Sequence, residues 1–446
     1  MPEILAVDVG TSSVRAQIFA ADAQEHRAAR REYPGENDPG HIVSLVREAI
    51  DEAVAGQAFD AVGASCFGHS LLALDGRGRP LTPVLGWRDT RAAAAADQLA
   101  GRVDAEAVHA RTGCHIHSSY WPAKLAWLGA DQPELFRSAR RFVSFADYLY
   151  AELLGCEAPA STSLASATGL LELHARAWDP ELLATLGLDP ERLPQISDEA
   201  VEGWYPALLD GACSNLGAGC VRRERAALMV GTSGAFRTVY ETDRPRPRRG
   251  LFLHWVDDRR VVEGGSLSDG GSLSRWIDQT LADAHGPLAD RDPDSHGLTF
   301  LALLGGERSP GWHGHAKGAV DGLTFETTAL DLRQAALEGV AFRFAEVAEL
   351  MPEVQEVVAT GGALLQDADW VQILADALGR PITVSAVAEG SLRGAAVVAL
   401  ERLGETTPPA PVARVVEPRL DRAGAYRAAR ERQRRLYEAA TAAWTS

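Results

Sequence analysis

Two short turns in this sequence carry residue types that bind phosphate. Gly10-Thr11-Ser12 follows the apolar run ILAVDVG, and Gly231-Thr232-Ser233 follows AALMVG, with Gly10 and Gly231 about half of the 446-residue chain apart. A Gly-Thr-Ser turn presents successive backbone N–H groups and two hydroxyls, a concave array suited to phosphate oxygens. Glycine lets the backbone approach a ligand closely. Asp8 precedes the first turn and is placed to hold Mg²⁺, directly or through water, whereas the matching residue of the second turn, Met229, cannot. One hairpin would therefore handle the metal and a terminal phosphate, and the other the inner phosphates. A single turn of this kind is more often an ordinary β-turn; the pair, together with Asp8 and Arg15, points to function. Asp210, in LLDGACSNLGAG, follows an apolar pair and precedes small residues, so its carboxylate can lie close to a substrate. There it could accept the proton of an alcohol that attacks a phosphate. Taken alone, an Asp-Gly pair is more commonly a turn or an N-cap. Gly361-Gly362 either lets an adenine or ribose lie against bare backbone or is simply a tight strand-to-helix turn.

These residues need strands and helices to position them. ILAVDVG (4–10) reads as a buried strand and VRAQIFA (14–20) as its hairpin partner. HIVSLVREAIDEAV (41–54) has apolar residues at helical spacing, and FDAVGASC (59–66) reads as a short buried strand. Helices are expected near 123–129 and 145–154. AALMVGTSGAFRTVYETD (226–243) repeats LAVDVGTSSVRAQIFAAD in kind, which implies two related α/β domains. Two further strand–helix units, 356–378 and 381–404, close the chain, the second with Gly394, Ala395 and Ala396 permitting close packing. Loops are expected at 242–250, 283–297 and 404–417, where Pro, Gly and Asp cluster, and the Arg-rich stretch 422–437 reads as a solvated amphipathic helix.

Composition narrows the function classes. With 44 basic against 61 acidic residues the net charge is −17, which disfavours a nucleic-acid partner. No apolar run approaches the roughly 18 residues of a membrane span. The N-terminus MPEILAVDVG lacks a secretory pattern. Cys66, Cys114, Cys156, Cys213 and Cys220 form no CxxC pair and are odd in number, which fits a reduced, cytoplasmic compartment. No GxxxxGK[ST] is present; LGAGCVRR (216–223) has Gly at only two Rossmann positions, and His115 and His117 lack partners at zinc spacing.

Taken together and in order, these segments resemble the FGGY carbohydrate kinase family, of the actin-like (ribonuclease H-like) ATPase superfold, and most of all its gluconokinase-like branch. AVDVGTSSVR (6–15) and MVGTSGAFR (229–237) look like the two phosphate motifs. GHSLLALDGRGRPLTPVLGWRDTRA (68–92), TGCHIHSSYWPAKLAWL (112–128) and TSLASATGLLEL (162–173) look like the sugar-site segment and the landmarks that follow it. DGACSNLG (210–217), GGSLSRW (270–276), GERSPGW (306–312), ATGGALLQDADWVQILAD (359–376) and EGSLRGAA (389–396) complete the series. The resemblance implies two actin-like α/β ATPase domains, 1–224 and 225–446, with a cleft between them. It implies Asp210 as general base and Asp8 as the organiser of Mg²⁺. Thr11, Ser12, Arg15, Gly231 and Thr232 would surround the phosphates of ATP. Gly271, Arg275, Gly361, Gly362 and Gln366 would line its nucleoside. His69, Ser70, Trp87 and Asp89 would face the sugar, with Ser119 or Tyr120 nearby.

Departures from the branch fall in the sugar-facing half. Gly68-His69 stands where Met-His or Gln-Arg is common, Cys114 and Ser118 replace prolines, and Arg88 lies inside the Trp-x-Asp-x-Arg pattern. The expected activity is phosphoryl transfer from ATP to a sugar, gluconate or a related sugar acid first, with Arg88, Arg91, His115 and His117 as cations able to meet a carboxylate. The alternatives are a ketose or polyol kinase such as one for xylulose, a catalytically silent sugar or nucleotide binder, and an actin-like filament or chaperone ATPase. Segment 68–92 would be unexplained in the last, and retention of both Asp8 and Asp210 argues against the silent binder. Family members are often homodimers, but no stretch marks an interface.

Overall fold

The computed structural model describes residues 2–20, 28–288 and 291–444; positions 289–290 of the expected 283–297 loop and the end of the first repeat, 21–22, lie outside the described residues. Two sheets organise the chain. The first has five strands in the order Ala29–Glu32, Ser13–Ala20, Glu3–Val9, Ala61–Cys66, Leu208–Leu209. Glu3–Val9 pairs antiparallel with Ser13–Ala20 and parallel with Ala61–Cys66. In the second sheet, Arg225–Val230 pairs antiparallel with Gly234–Glu241 and parallel with Glu356–Thr360, with Arg260–Leu267 and Ile382–Ser385 outside them. The same five-strand order and the same strand directions therefore recur, which establishes the two-domain α/β architecture expected from the repeated hairpin. The second sheet gains Phe252–Trp255 at one edge and Val412–Val416 at the other. Segment 404–417, read above as a loop, thus contains an edge strand. Its residues are mostly exposed, so no buried apolar run marked it.

The central strands are buried on both faces: Ile4, Leu5, Ala6 and Val7 are at most 1% exposed, as are Ala226, Ala227 and Leu228. Burial on both sides is why these strands read as continuous apolar runs rather than alternating ones. The expected helices are present as Pro39–Val54, Trp121–Asp131 and Phe145–Leu154. A separate core of Leu71, Trp121, Leu125 and Phe142 forms within the stretch between Ala61–Cys66 and Leu208–Leu209, which carries the sugar-site segment 68–92.

The two halves interlock through a pair of helices. Asp210–Gly217 follows the last strand of the first sheet, and Gly390–Arg402 follows Ile382–Ser385 of the second. The second helix does not stay with its own sheet: a Cβ on Gly63 of the first sheet would lie 2.4 Å from the Ala395 carbonyl oxygen. Where the helices cross, a Cβ on Gly217 would lie 1.9 Å from the Gly390 carbonyl oxygen, and one on Gly394 would lie 1.9 Å from that of Cys213. Backbone therefore rests on backbone, and only glycine fits either position. Gly394→Ala should lower the free energy of unfolding by about 3 kcal/mol, the upper range for overpacking a rigid site, read as a shift of the urea midpoint. An unchanged midpoint would show that the helices can part without loss.

Candidate active site

The first hairpin places Asp8 at the end of its strand, directly opposite Arg15. The Asp8 carboxylate accepts hydrogen bonds from Arg15 Nη1 at 2.9 Å and Ser65 Oγ at 2.7 Å. Burial raises its pKa, and both of those partners oppose the rise. Arg15 Nε reaches Glu389 at 2.9 Å, just before the Gly390–Arg402 helix. Thr11 and Ser12 form the exposed tip of the turn, which is closed by Gly10 N–H donating to the Ser13 carbonyl at 2.9 Å.

The second hairpin is built the same way, with Gly231 N–H donating to Ser233 at 3.0 Å. Here a further helix, Gly271–Thr280, docks behind the turn: Gly271 and Ser272 N–H groups donate to the Gly231 and Thr232 carbonyls at 2.9 and 3.0 Å. A Cβ on Gly271 would lie 2.5 Å from the Gly231 carbonyl oxygen and 2.7 Å from Ala363 Cβ. Gly361 adopts φ 91°, and a Cβ there would lie 2.5 Å from the Val230 carbonyl oxygen, so the turn before Gly362–Leu365 also packs on this hairpin. Gly231, Thr232, Gly271, Gly361 and Gly362 are thereby brought together from three segments. Gly362 has open space where a side chain would project, and Arg275 and Gln366 are exposed.

Asp210 opens the helix that crosses between the halves and accepts a hydrogen bond from Gly211 N–H at 2.7 Å. Burial lifts its pKa to about 6; Arg237 and the Gly211 N–H pull it down, and the charge on Asp8 adds to the rise. Arg237, from the strand after the second turn, packs against Gly211 so closely that a Cβ there would lie 2.2 Å from Nη1. Its Nε and Nη2 find no hydrogen-bond partner among the described residues although the side chain is buried.

The expected sugar-facing residues separate into two groups. His69, Trp87 and Tyr120 converge with residues from the second half of the chain. His69 has φ 64°, and its ring lies 4.9 Å from Tyr120 and 5.8 Å from His254. Trp87 faces the Arg308 guanidinium, whose carbon is 4.3 Å from the ring centroid. Ser119 Oγ donates to the Trp87 carbonyl at 3.2 Å. Ser70 and Asp89 are placed differently. Ser70 is 1% exposed, and its hydroxyl accepts a hydrogen bond from Phe145 N–H at 3.0 Å. The Asp89 carboxylate is taken by Arg91, with Nε at 2.9 Å, and burial fails to offset those bonds, so its pKa is lowered. A cavity of about 650 Å³ opens between the halves beside Trp87, Arg88, His117, Ser119, Asp269 and Arg308; of the expected sugar-facing residues Trp87 and Ser119 line it, and His69, Ser70, Asp89 and Tyr120 do not.

Burial sets the charge states here. It holds the pKa values of His69, His115 and His117 down at about 3 and that of His254 well below the usual imidazole range, so these rings are neutral at pH 7. His69 Nδ1 lies 2.5 Å from the Ala167 carbonyl, which fixes the proton on Nδ1 and leaves Nε2 as an acceptor. His117 Nδ1 accepts the Ser119 N–H at 3.1 Å, which leaves its proton on Nε2. His115 is stacked between His109 at 4.0 Å and Trp312 at 4.6 Å, and Arg91 is committed to Asp89, so neither offers a free charge to the cavity. Arg308 remains a cation, with its pKa lowered only to about 10 by burial.

Arg237, His254, Arg308 and Trp312 were not singled out from the sequence as site residues. Each comes from the second half of the chain and reaches residues of the first. The available signals were the Arg that ends MVGTSGAFR and the GERSPGW segment as a whole. Among the described residues, no group of three or more His, Cys, Asp or Glu could hold a metal ion by itself, and no helix is long and apolar enough to cross a membrane.

The repeated sheet and the cleft between its copies define a two-domain α/β architecture. Residues 3–202 match the N-terminal domain of the FGGY family of carbohydrate kinases and residues 226–401 match its C-terminal domain. The chain belongs to that family and is a carbohydrate kinase, a phosphotransferase with an alcohol group as acceptor. A gluconokinase of Bacillus subtilis (strain 168) is 27% identical over 452 residues, spanning 90% of this chain and 88% of the relative. The crystal structure of a gluconate kinase from Lactobacillus acidophilus superposes with a TM-score of 0.88 at 26% identity, covering 98% of each chain. A ligand-bound xylulose kinase from the same organism gives a TM-score of 0.88 at 25% identity, also over 98% of each chain.

One buried lysine ties the His69 and Ser119 backbones together. Lys124 is 1% exposed, and its Nζ donates to the carbonyls of His69 at 2.5 Å and Ser119 at 2.9 Å. Burial pulls its pKa down to about 7. Lys124→Met leaves both carbonyls unsatisfied, at about 1–3 kcal/mol. The sugar kcat/KM should fall about tenfold or more while the KM for ATP holds; equal loss for both substrates would contradict this local role.

Proposed function

We propose that this enzyme transfers the γ-phosphoryl group of ATP to a hydroxyl of a sugar acid, with gluconate the first candidate, and that Asp210 is the general base. The observation that carries the sugar-acid reading is the charge of the cavity. Arg88, Arg308 and Lys317 line it against a single carboxylate, Asp269, whose oxygens are occupied by the N–H groups of Leu304 at 2.6 Å and Gly305 at 3.1 Å. Such a lining favours an anion, and two of its cations, Arg308 and Arg88, lie over the Trp87 ring at 4.3 and 4.9 Å. His69 Nε2 is an acceptor suited to a sugar hydroxyl. The dividing line between the two actin-like domains is put at 224/225, just before the Arg225–Val230 strand.

Asp210 would take the proton from the acceptor hydroxyl as its oxygen approaches phosphorus. Arg237, buried beside Asp210 with two unpartnered nitrogens, would meet the charge spread over the transferring phosphoryl oxygens. Thr11, Ser12, Gly231 and Thr232 would supply N–H groups and hydroxyls to the phosphates, with Arg15 holding Asp8. Gly271, Arg275, Gly361, Gly362 and Gln366 would border the nucleoside. Mg²⁺ fits the donor set: Asp8 and Asp210 are carboxylates close enough for the charge of Asp8 to raise the pKa of Asp210. This ion is ordinarily held by one or two carboxylates plus phosphate oxygens and water. When bound it would neutralise phosphate charge. Closure of the halves around both substrates would exclude water and limit ATP hydrolysis.

A second reading, a kinase of a neutral ketose or polyol, is favoured by the neutral imidazoles of the sugar side and by the similarity to a xylulose kinase. ADP release with ATP and Mg²⁺ across sugar acids, ketoses and polyols decides between the two. Turnover of gluconate or another sugar acid above all neutral sugars is expected; turnover confined to xylulose or a polyol would replace the first reading by the second.

The base assignment has its own signature. With a pKa of about 6, Asp210 is protonated and inactive below that pH, so kcat/KM for the sugar should be level above pH 6. Below it the value should fall about tenfold per pH unit. Asp210→Asn should lower kcat by about a hundred- to ten-thousandfold and abolish that limb. A variant that keeps both the rate and the acid limb would exclude Asp210 as the base.

A further inference from the structure

The loop that carries Arg308 and Trp312 into the sugar side is anchored from behind by a carboxylate outside the cleft. Glu307 is 1% exposed. Its oxygens accept hydrogen bonds from Tyr437 Oη at 2.8 Å, Gly311 N–H at 3.3 Å and His313 N–H at 3.4 Å, and it is paired with Arg343. Arg343 is also held by Glu346 at 2.5 Å and lies 4.9 Å from the Tyr437 ring centroid. Gly311 has no room for a side chain: a Cβ there would lie 2.1 Å from Tyr437 Oη. Within the loop, Trp312 N–H donates to the Arg308 carbonyl at 2.6 Å, which ties the two residues together.

Tyr437 belongs to the C-terminal helix Ala423–Trp444, read from sequence as solvated and amphipathic. One face of that helix is fastened down. Gln433 is 1% exposed and donates to the Phe300 and Gly339 carbonyls at 2.7 and 3.2 Å, and the Tyr437 and Trp444 rings flank His313 at 6.4 and 6.3 Å. On its other side the loop presses Trp312 on His115 at 4.6 Å and Tyr120 at 5.9 Å.

We propose that Glu307 and Tyr437 are positioning residues for sugar binding: the C-terminal helix, through the Glu307 carboxylate, sets the register of the loop that presents Arg308 and Trp312 to the sugar. The proposal rests on Arg308 lying in the sugar site but not on which sugar is used. It predicts that a change on a helix remote from both phosphate hairpins alters sugar affinity selectively.

The test uses the best substrate of the sugar panel and three variants. Tyr437→Phe removes one hydrogen bond to a buried carboxylate while keeping the ring, and should raise the sugar KM about fivefold with the KM for ATP within about twofold of wild type. Glu307→Gln should act in the same direction and more strongly; if it fails to fold, Tyr437→Phe still decides. Arg308→Lys reports on the site itself. If Arg308→Lys raises the sugar KM and Tyr437→Phe lowers only the thermal midpoint, the helix is a stabiliser and the proposal is overturned. If Arg308→Lys leaves the sugar KM unchanged, the placement of Arg308 in the sugar site fails, and the positioning role fails with it.

Discussion

Two helices that touch backbone to backbone fix the geometry of everything else. At Gly217 and Gly394 there is no side chain between Asp210–Gly217 and Gly390–Arg402. Asp210 is the first residue of one; Glu389, which holds Arg15, directly precedes the other. Ser391 Oγ donates to the Asp210 carbonyl at 3.3 Å across the junction. The proposed base, the first hairpin and the end of the second half are thus tied at one point, and a shift of one helix would displace all three. Rigid close packing of this kind transmits displacement rather than absorbing it.

The electrostatics follow from that junction. Asp8 and Asp210 are carboxylates desolvated near each other, an arrangement that favours protonation unless cations are supplied. Arg15 serves Asp8 through a direct pair, whereas Arg237 serves Asp210 through proximity alone and keeps nitrogens unpartnered among the described residues. The asymmetry has a chemical meaning: Asp8 has fixed partners that oppose the rise burial imposes on its pKa, and Asp210 is left with a pKa of about 6, in the range where a carboxylate can accept a proton and release it. Around Trp87 burial neutralises the imidazoles and leaves Arg308 a buried cation, so the proposed recognition of hydroxyls and of charge falls to different residues.

Much of this was legible in the sequence because it is local. The two hairpins, the buried strands and the helices at 41–54 and 145–154 follow from apolar runs and periodicity within short windows. The duplication of the sheet follows from two Gly-Thr-Ser turns placed half a chain apart. Small residues at 394–396 correctly marked a close crossing, but not that the helix leaves its own sheet to make it. The sugar side was legible only in part. Ser70 and Asp89 have the right residue types, yet Phe145 and Arg91 claim their polar atoms; Phe145 lies far along the chain from Ser70, whereas Arg91 is a local partner within the Trp-x-Asp-x-Arg pattern itself. Arg308, His254 and Trp312 meet His69, Trp87 and Tyr120 only through tertiary folding across more than a hundred residues of chain. The exposed edge strand Val412–Val416 has no buried face to impose a pattern, so composition pointed to a loop instead.

The most direct test of the account is a crystal structure of the enzyme with a non-hydrolysable ATP analogue, Mg²⁺ and the sugar it turns over fastest. The account predicts the acceptor hydroxyl within about 3 Å of Asp210, hydrogen-bond reach for a general base, and facing a γ-phosphate held between the Gly10–Ser12 and Gly231–Ser233 turns. It also predicts the far end of the sugar against Trp87 and Arg308. A ternary complex with the acceptor hydroxyl directed at another carboxylate, or with the triphosphate bound away from both turns, would contradict it.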